Sequence, residues 1–269
     1  MIIFPGSKIN IGLNIIRKRD DGFHDIESVF YPLPWTDILE GIVADKDEIT
    51  ITGLHVDCSL EDNLITKAIN LLRREYHFGQ VKIHLHKVVP MGAGLGGGSA
   101  DAAATILLLN DLFRLQMSDV TMEDYARVLG SDCAFFIRKK PVFAYAKGDV
   151  FKDISLDLSG WKIIVIKPEV HIGTKEAYAG IVPLESVNSI EKDLLQNVEQ
   201  WKDTVKNDFE ASIFKNHPQI KDIKDFLINN GADYASMSGS GASVYGLYSP
   251  DKSLPQININ NAVSWIGVL

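Results

Sequence analysis

The chain has 269 residues, 46% hydrophobic and 23% charged, with 10 prolines and 21 glycines. At roughly 150 residues per domain, that length means one to two domains of an ordinary folded protein, not a disordered, fibrous or low-complexity one. Twenty-seven Lys and Arg against thirty-five Asp and Glu leave a net charge of -8, which argues against a nucleic-acid or anionic-membrane partner but leaves room for a local basic pocket. Cys58 and Cys133 are far apart and make neither a CxxC nor a zinc spacing, so a reduced, cytoplasmic protein is expected. The mostly apolar stretch 102–109 falls far short of the ~18 residues of a membrane span. MIIFPG lacks a basic n-region, and Pro5-Gly6 interrupts it too early for a secretory signal.

In chain order, Ile9, Ile11, Leu13 and Ile15 alternate with Lys8, Asn10, Gly12 and Asn14, the period of a half-buried strand with one polar face. The Asp21-Gly22 turn and the run Val29–Leu33 make residues 8–33 a hairpin with a basic tip at Arg17–Arg19. Strands near 37–43 and 48–52 follow. A helix capped by Asp62 then carries the stripe Leu64, Ile65, Ala68, Leu71, Leu72 and ends near Tyr76. Val81, Ile83 and Leu85 alternate with Lys82, His84 and His86 as another strand. A glycine loop leads into a helix beginning at Ser99, and a second helix capped by Thr121 reaches about Leu129. Beyond a strand at 142–147, a composition shift through Asp153–Gly160 marks a boundary near 155. The units expected are therefore 1–155 and 156–269. The second begins with a strand, Trp161–Ile166, continues through helices at 174–181, 190–201, 208–216 and 218–230, and includes a strand at 242–248. Alternating strands mixed with helices in this order predict an α+β protein of mostly antiparallel sheets, with helices on one face and a cleft between two lobes.

Gly92, Gly94 and Gly97 satisfy G-x-G-x-x-G, but the preceding strand carries Lys82, His84 and His86 on one face. A second helix, not a strand ending in an acidic residue, follows the first, so a dinucleotide fold is not expected. A Walker A loop is absent, because no Gly-Lys-Ser/Thr closes the segment. Five of the seven residues Gly92–Gly98 are glycine. Such a loop lets backbone N–H groups turn inward, and the helix that follows adds its unpaired N–H groups and positive dipole end. A triphosphate suits such a cradle better than a plain connector does, since each glycine costs conformational entropy.

The segment Pro90, Met91, Gly92, Ala93, Gly94, Leu95, Gly96, Gly97, Gly98, Ser99, Ala100 resembles the central ATP-binding motif of the GHMP kinases. Lys8-Ile-Asn10 with Asp21-Gly-Phe-His24 is similar to the first motif of one branch of that family, Gly130-Ser-Asp132 to the family segment bearing the catalytic aspartate, and Ser238-Gly-Ser-Gly-Ala242 to the third, glycine-rich motif. The combination of Lys8, the Gly-Phe-His turn, the triple glycine and Gly-Ser-Asp resembles that of the members that phosphorylate a cytidine diphosphate derivative of methylerythritol in isoprenoid precursor synthesis. The resemblance implies an ATP-dependent kinase with a two-lobed α+β fold, Mg²⁺ on the nucleotide and a small-molecule substrate. Other small-molecule kinases of the family and a silent ligand sensor on the same fold are the alternatives, and retention of both Lys8 and Asp132 disfavours the sensor.

Phosphoryl transfer to an alcohol needs a nucleotide cradle, a metal on the phosphates, a proton acceptor at the hydroxyl and positive charge where negative charge develops. The resemblance makes Asp132 the proton acceptor and Lys8 its partner; read from the sequence alone, they are a turn residue and a strand-face lysine. Ser99 either caps its helix or ligates Mg²⁺, and Asp101 complements the helix dipole. Asn10, Phe23, His24, Tyr31, Tyr178, Gly239 and Gly241 are implied on the substrate side, with Phe23 as a stacking plate, His24 as the reader of the cytosine edge, Tyr178 closing the other side of the base and Tyr31 near the diphosphate. The family's usual tyrosine is phenylalanine at position 23, which keeps the stacking surface and drops the hydroxyl. His84 and His86 lack a third metal ligand at a suitable spacing and read as an exposed strand face.

Overall fold

The structure, a computed structural model, describes residues 1–181, 183 and 189–269. The first half of the chain forms β1 (Ile2–Ile3), β2 (Ser7–Lys18), β3 (His24–Leu33), β4 (Ile38–Ala44), β5 (Glu48–Gly53), α1 (Leu64–Leu72), β6 (Gln80–Lys87), α2 (Gly97–Phe113), α3 (Asp119–Leu129) and α4 (Phe135–Arg138). The second half adds β7 (Val142–Tyr145), β8 (Val150–Asp153), β9 (Lys162–Pro168), α5 (Thr174–Ala179), α6 (Ile190–Asp193), α7 (Trp201–Thr204), α8 (Phe209–Asn216), α9 (Pro218–Asn229), β10 (Tyr234–Met237), β11 (Val244–Tyr248) and β12 (Ala262–Val268). The chain folds into two compact units: Met1–Ser7, Trp35–Met91 and Gly96–Lys140 make one, and Lys8–Pro34, Gly92–Leu95 and Pro141–Leu269 the other. Position 155 falls inside the second. The N-terminal hairpin belongs there because β3 pairs with β7, Val29 opposite Phe143, which ties residues far apart in sequence into one sheet.

In the first unit the sheet order is β1-β4-β6-β5, antiparallel except for the parallel β5–β6 pair. Helix α2 is buried around most of its circumference, from Gly97 and Ala100 through Leu108 and Leu109, which is why it reads as alanine- and leucine-rich without a polar stripe. It lies so close to β4 that a side chain at Gly41 would stand 2.5 Å from Leu108. Asn63, not Asp62, caps α1 by accepting from Ile65 N at 2.9 Å. Ser118, not Thr121, caps α3, accepting from Thr121 N at 3.2 Å. In each case the side chain two or three residues before the free amide is the one that reaches it.

The second unit holds two sheets, ordered β2-β3-β7-β8 and β10-β11-β9-β12. Ile164, Ile166, Val244, Ile223, Leu227 and Phe209 belong to one core cluster that joins the second of these to α8 and α9. The strand at 8–16 is not half-buried as its alternation predicts: Lys8 and Asn10 are as enclosed as Ile9 and Ile11. The helix expected over 190–201 is α6, a 3-10 turn at Val198–Gln200 and α7, because Asn197 starts afresh with a capping box to Gln200. β1, β8, β10, β12 and α4 were not foreseen. β1, β8, β10 and α4 run two to four residues, too few for a period to show, while β12 carries apolar residues on both phases.

Candidate active site

Within the second unit the three motif segments meet through two backbone hydrogen bonds and two made by the Ser238 hydroxyl. Lys8 N donates to Leu95 O at 2.9 Å, Asn10 N to Ser238 Oγ at 3.2 Å, Ser238 Oγ to Gly94 O at 2.8 Å and Ser243 N to Ala93 O at 3.2 Å. Gly94 is required twice over: its φ is +75°, and a Cβ there would sit 1.9 Å from the Ser238 carbonyl oxygen. Ala93 and Leu95 are buried, so the loop sends its small side chains into the core and leaves glycine backbone as its other face. Asn207, buried and unremarked in the sequence, donates through Nδ2 to the Met237 and Gly239 carbonyls at 2.8 Å each and so fixes the third motif's loop. Gly239 and Gly241 both have positive φ in that loop.

Lys8 is 3% exposed, its Nζ hydrogen-bonded to Asn10 Oδ1 and 4.8 Å from the Phe30 ring centroid. It is thus no solvated strand-face lysine. Asn10 Nδ2 donates to Ser28 Oγ at 2.8 Å, and that hydroxyl donates to Gly12 O at 2.6 Å. Both ends of the Asn10 amide are committed to protein, and what it does here is aim the ammonium.

In the first unit α2 starts at Gly97, with Gly96 as an N-cap of φ +71° that makes no side-chain capping bond. Ser99 is therefore inside the first turn and does not cap the helix, a correction to one of its two sequence readings. Its hydroxyl lies near Cys133, whose thiol is pushed up to about 12 by burial, with Ser99 opposing and the Asp132 charge adding to the rise. Asp132 itself is partly exposed in the turn after α3, and its carbonyl accepts from Phe135 N at 3.2 Å to open α4. The Gly-Ser-Asp turn thus brings Asp132 next to the residue that lies near Ser99.

Also in the first unit, Lys87 Nζ donates to Asp37 Oδ2 at 2.6 Å and to Asp101 Oδ2 at 2.8 Å, all three side chains being nearly inaccessible. Burial pushes the Asp101 carboxyl above its ordinary range, against the pull of the Lys87 charge. Asp101 is thus an ion-pair member and not only a complement to the helix dipole. The sequence held a signal for this group: Lys87 lies on the odd, apolar phase of its strand with Val81, Ile83 and Leu85, where a lysine needs a buried partner.

Among the substrate-side residues, all in the second unit, His24 and Tyr178 stack with centroids 4.5 Å apart and planes inclined 20°. Tyr178 thus backs the His24 ring. Phe23 is 56% exposed with Lys147 Nζ 5.1 Å from its centroid, a free aromatic face beside a cation. Burial first, and the Lys18 charge second, lower the His24 pKa, which keeps its imidazole neutral near neutrality. Tyr31 is buried and its hydroxyl accepts from Leu158 N at 3.2 Å, a core position. The basic tip is paired internally, Arg17 and Arg19 with Asp25 and Arg19 also with Asp21. His84 and His86 both contact Thr52 Oγ1, at 2.8 and 3.0 Å. Among the described residues no group of three or more His, Cys, Asp or Glu is placed to hold a metal, and no helix is long and apolar enough to cross a membrane.

Residues 63–140 match the family model described as the GHMP kinases N terminal domain, and residues 187–257 the GHMP kinases C terminal. The chain is 48% identical over 260 residues to a 4-diphosphocytidyl-2-C-methyl-D-erythritol kinase of Bacteroides thetaiotaomicron, covering 95% of each sequence. It is 46% identical over 270 residues to a kinase of the same name from Cytophaga hutchinsonii, covering all of both. Among solved structures, a 4-(cytidine 5'-diphospho)-2C-methyl-D-erythritol kinase superimposes with a TM-score of 0.80 at 28% identity, covering 93% of this chain and 91% of that one. With both family models matched and with these identities and this fold running along nearly the whole chain, the protein belongs to the GHMP kinases, enzymes that use ATP as phosphoryl donor, and within them to the branch of these relatives.

Proposed function

We propose that the enzyme transfers the γ-phosphoryl group of ATP to the 2-hydroxyl of 4-diphosphocytidyl-2-C-methyl-D-erythritol, giving the 2-phosphate and ADP in the non-mevalonate route to isoprenoid precursors. The observation that carries this reading is the junction of Lys8, Asn10, Gly94 and Ser238, three segments resembling motifs of a phosphoryl-transfer family and held together by hydrogen bonds from backbone and from the Ser238 hydroxyl. Pro90–Ala100 cradles the triphosphate, with the N–H groups of Gly96–Gly98 and the start of α2 offering donors and a positive dipole end. The substrate 2-hydroxyl oxygen forms a bond to the γ-phosphorus, the bond to the β,γ-bridging oxygen breaks, and the hydroxyl proton passes to the Asp132 carboxylate. Lys8, aimed by Asn10, supplies positive charge to the transferring group. Gly239 and Gly241 line the substrate side with bare backbone.

Mg²⁺ in kinase sites keeps several waters and takes few protein ligands beside the phosphates. Ser99, whose hydroxyl stands in the first turn of α2, is the residue that would hold it. When bound, the ion supplies charge neutralisation at the phosphate oxygens. ADP release measured with the cytidylated alcohol beside mevalonate, homoserine and galactose tests the assignment. Turnover confined to the cytidylated alcohol is expected, and turnover of any of the other three at a comparable rate overturns it.

The substrate-side residues give two further expected results. Phe23→Tyr leaves the KM for the cytidylated substrate nearly unchanged, while Phe23→Ala raises it by a factor equivalent to about 1–3 kcal/mol of lost stacking. His24→Ala erodes the preference for cytidine over uridine, because the two bases exchange donor and acceptor on the edge a neutral imidazole reads. Since the folded environment lowers the His24 pKa, the neutral form persists below the ordinary histidine value. KM for this substrate is therefore flat across neutral pH and rises only on acidification past that value. Steady-state kinetics on cytidine and uridine forms across pH measures all of this, and unchanged selectivity in His24→Ala would mean that the base is read elsewhere.

A further inference from the structure

The buried group Lys87, Asp37 and Asp101 takes no part in the mechanism above, yet it sits at both roots of the glycine loop. Asp37 Oδ1 accepts from Val88 N at 2.6 Å and Val89 N at 2.8 Å, the residues that lead into the loop, while its Oδ2 takes the Lys87 ammonium. On the far side of the loop the same ammonium holds Asp101, four residues into α2. Between these anchors lies Gly97, the first residue of α2, where a Cβ would stand 3.3 Å from Lys87 Nζ and 3.3 Å from Val89 Cγ1. The ammonium is thus packed against the underside of the helix start and is itself inaccessible, so it cannot be a phosphate ligand.

A buried ion cluster is a poor way to gain stability, because apolar side chains of the same volume do as well or better once desolvation is counted. Asp101 Oδ1 makes the cost plain, for it is buried without a hydrogen-bond partner among the described residues. What charge and directional bonds supply that apolar packing does not is a fixed separation between elements. Here they fix the end of β6, the residues before the loop and the first two turns of α2 relative to one another. The N–H groups of that first turn belong to the cradle, and a binding site held by rigid neighbours loses affinity when those neighbours shift by a fraction of an ångström.

We propose that Lys87, clamped by Asp37 and Asp101, is a positioning residue for the nucleotide: it sets the height of Gly97 and the first-turn N–H groups of α2, and through them the affinity for ATP, without touching ATP. The proposal rests on the reading of the glycine loop as the phosphate cradle. Asp101→Asn keeps the shape and weakens the clamp, and Lys87→Met removes the ammonium at similar volume. Calorimetric ATP binding and the KM of each substrate are measured for both, with Gly97→Val as a control. Asp101→Asn and Lys87→Met raise the Kd and KM for ATP by roughly ten- to a hundredfold, with the KM for the cytidylated alcohol unchanged and turnover at saturating ATP largely kept. A general loosening of the fold would move both KM values together, and that outcome overturns the proposal. Should Lys87→Met fail to fold, Asp101→Asn decides alone: a folded protein with native ATP affinity refutes the positioning role. If Gly97→Val abolishes ATP binding while Asp101→Asn leaves it untouched, the cradle stands and the clamp is merely structural. If Gly97→Val binds ATP normally, the cradle reading fails and the positioning role falls with it.

Discussion

Asp132→Asn is expected to lower turnover by at least about 10²-fold while ATP affinity stays near that of the native enzyme. The amide has the size and the turn preference of the carboxylate, so the Gly130-Ser131 turn and the hydrogen bond from Phe135 N to the residue 132 carbonyl survive. What disappears is the group able to take the hydroxyl proton as the bond to phosphorus forms. The neighbouring Cys133 thiol should also ionise somewhat more readily, since the Asp132 charge is one of the influences that raise its pKa. Calorimetry with ATP and rapid-quench measurement of a single turnover give the two required numbers. Native turnover in a folded Asp132→Asn protein removes Asp132 from the reaction. Lys8→Met should lose turnover comparably, with a stability cost of about 1–3 kcal/mol because Asn10 Oδ1 loses its buried donor.

Gly97→Val is expected to abolish ATP binding. Glycine is not needed at this position for its backbone angles, because Gly97 is not among the glycines of positive φ, in contrast to Gly94 and Gly96 on the same loop. Room is the constraint. The first atom of any side chain meets Lys87 Nζ and Val89 Cγ1, and the two γ-methyls of valine must then force either the ammonium or the helix start aside. Overpacking of this kind costs about 1–3 kcal/mol, so a lower Tm accompanies the loss of binding while the fold persists. Calorimetry on the folded variant checks it, and an unaltered ATP affinity would make the segment 92–98 a connector. Gly94 is a harsher site, since there the obstacle is a carbonyl oxygen 1.9 Å away and not the end of a flexible side chain.

The sequence by itself determined most of the local order. Alternation at 81–86 predicted a strand with Lys82, His84 and His86 outward, and the glycine cluster before an Ala- and Leu-rich run predicted a loop entering a buried helix; both are present as β6 and α2. The glycine cluster at 92–98 pointed to a phosphate cradle, because a glycine-rich loop at a helix start is a local property that spacing alone conveys, and the resemblance of the segments at 8–10, 130–132 and 238–242 to motifs of the GHMP kinases carried that on to phosphoryl transfer. Tertiary structure decided which of those residues are free to act. Lys8 and Asn10 occupy the polar phase of their strand, yet packing on both faces encloses them, so Asn10 is spent on Lys8 and Ser28. Tyr178 lies far from His24 in sequence, and only the fold stacks it on that ring. The same holds for Asp37, Lys87 and Asp101. A period of two could mark Lys87 as a charge on an apolar face, but the partners that make such a burial tolerable come from the turn before β4 and from α2, and pairing at that range is set by which elements pack together and not by any local spacing.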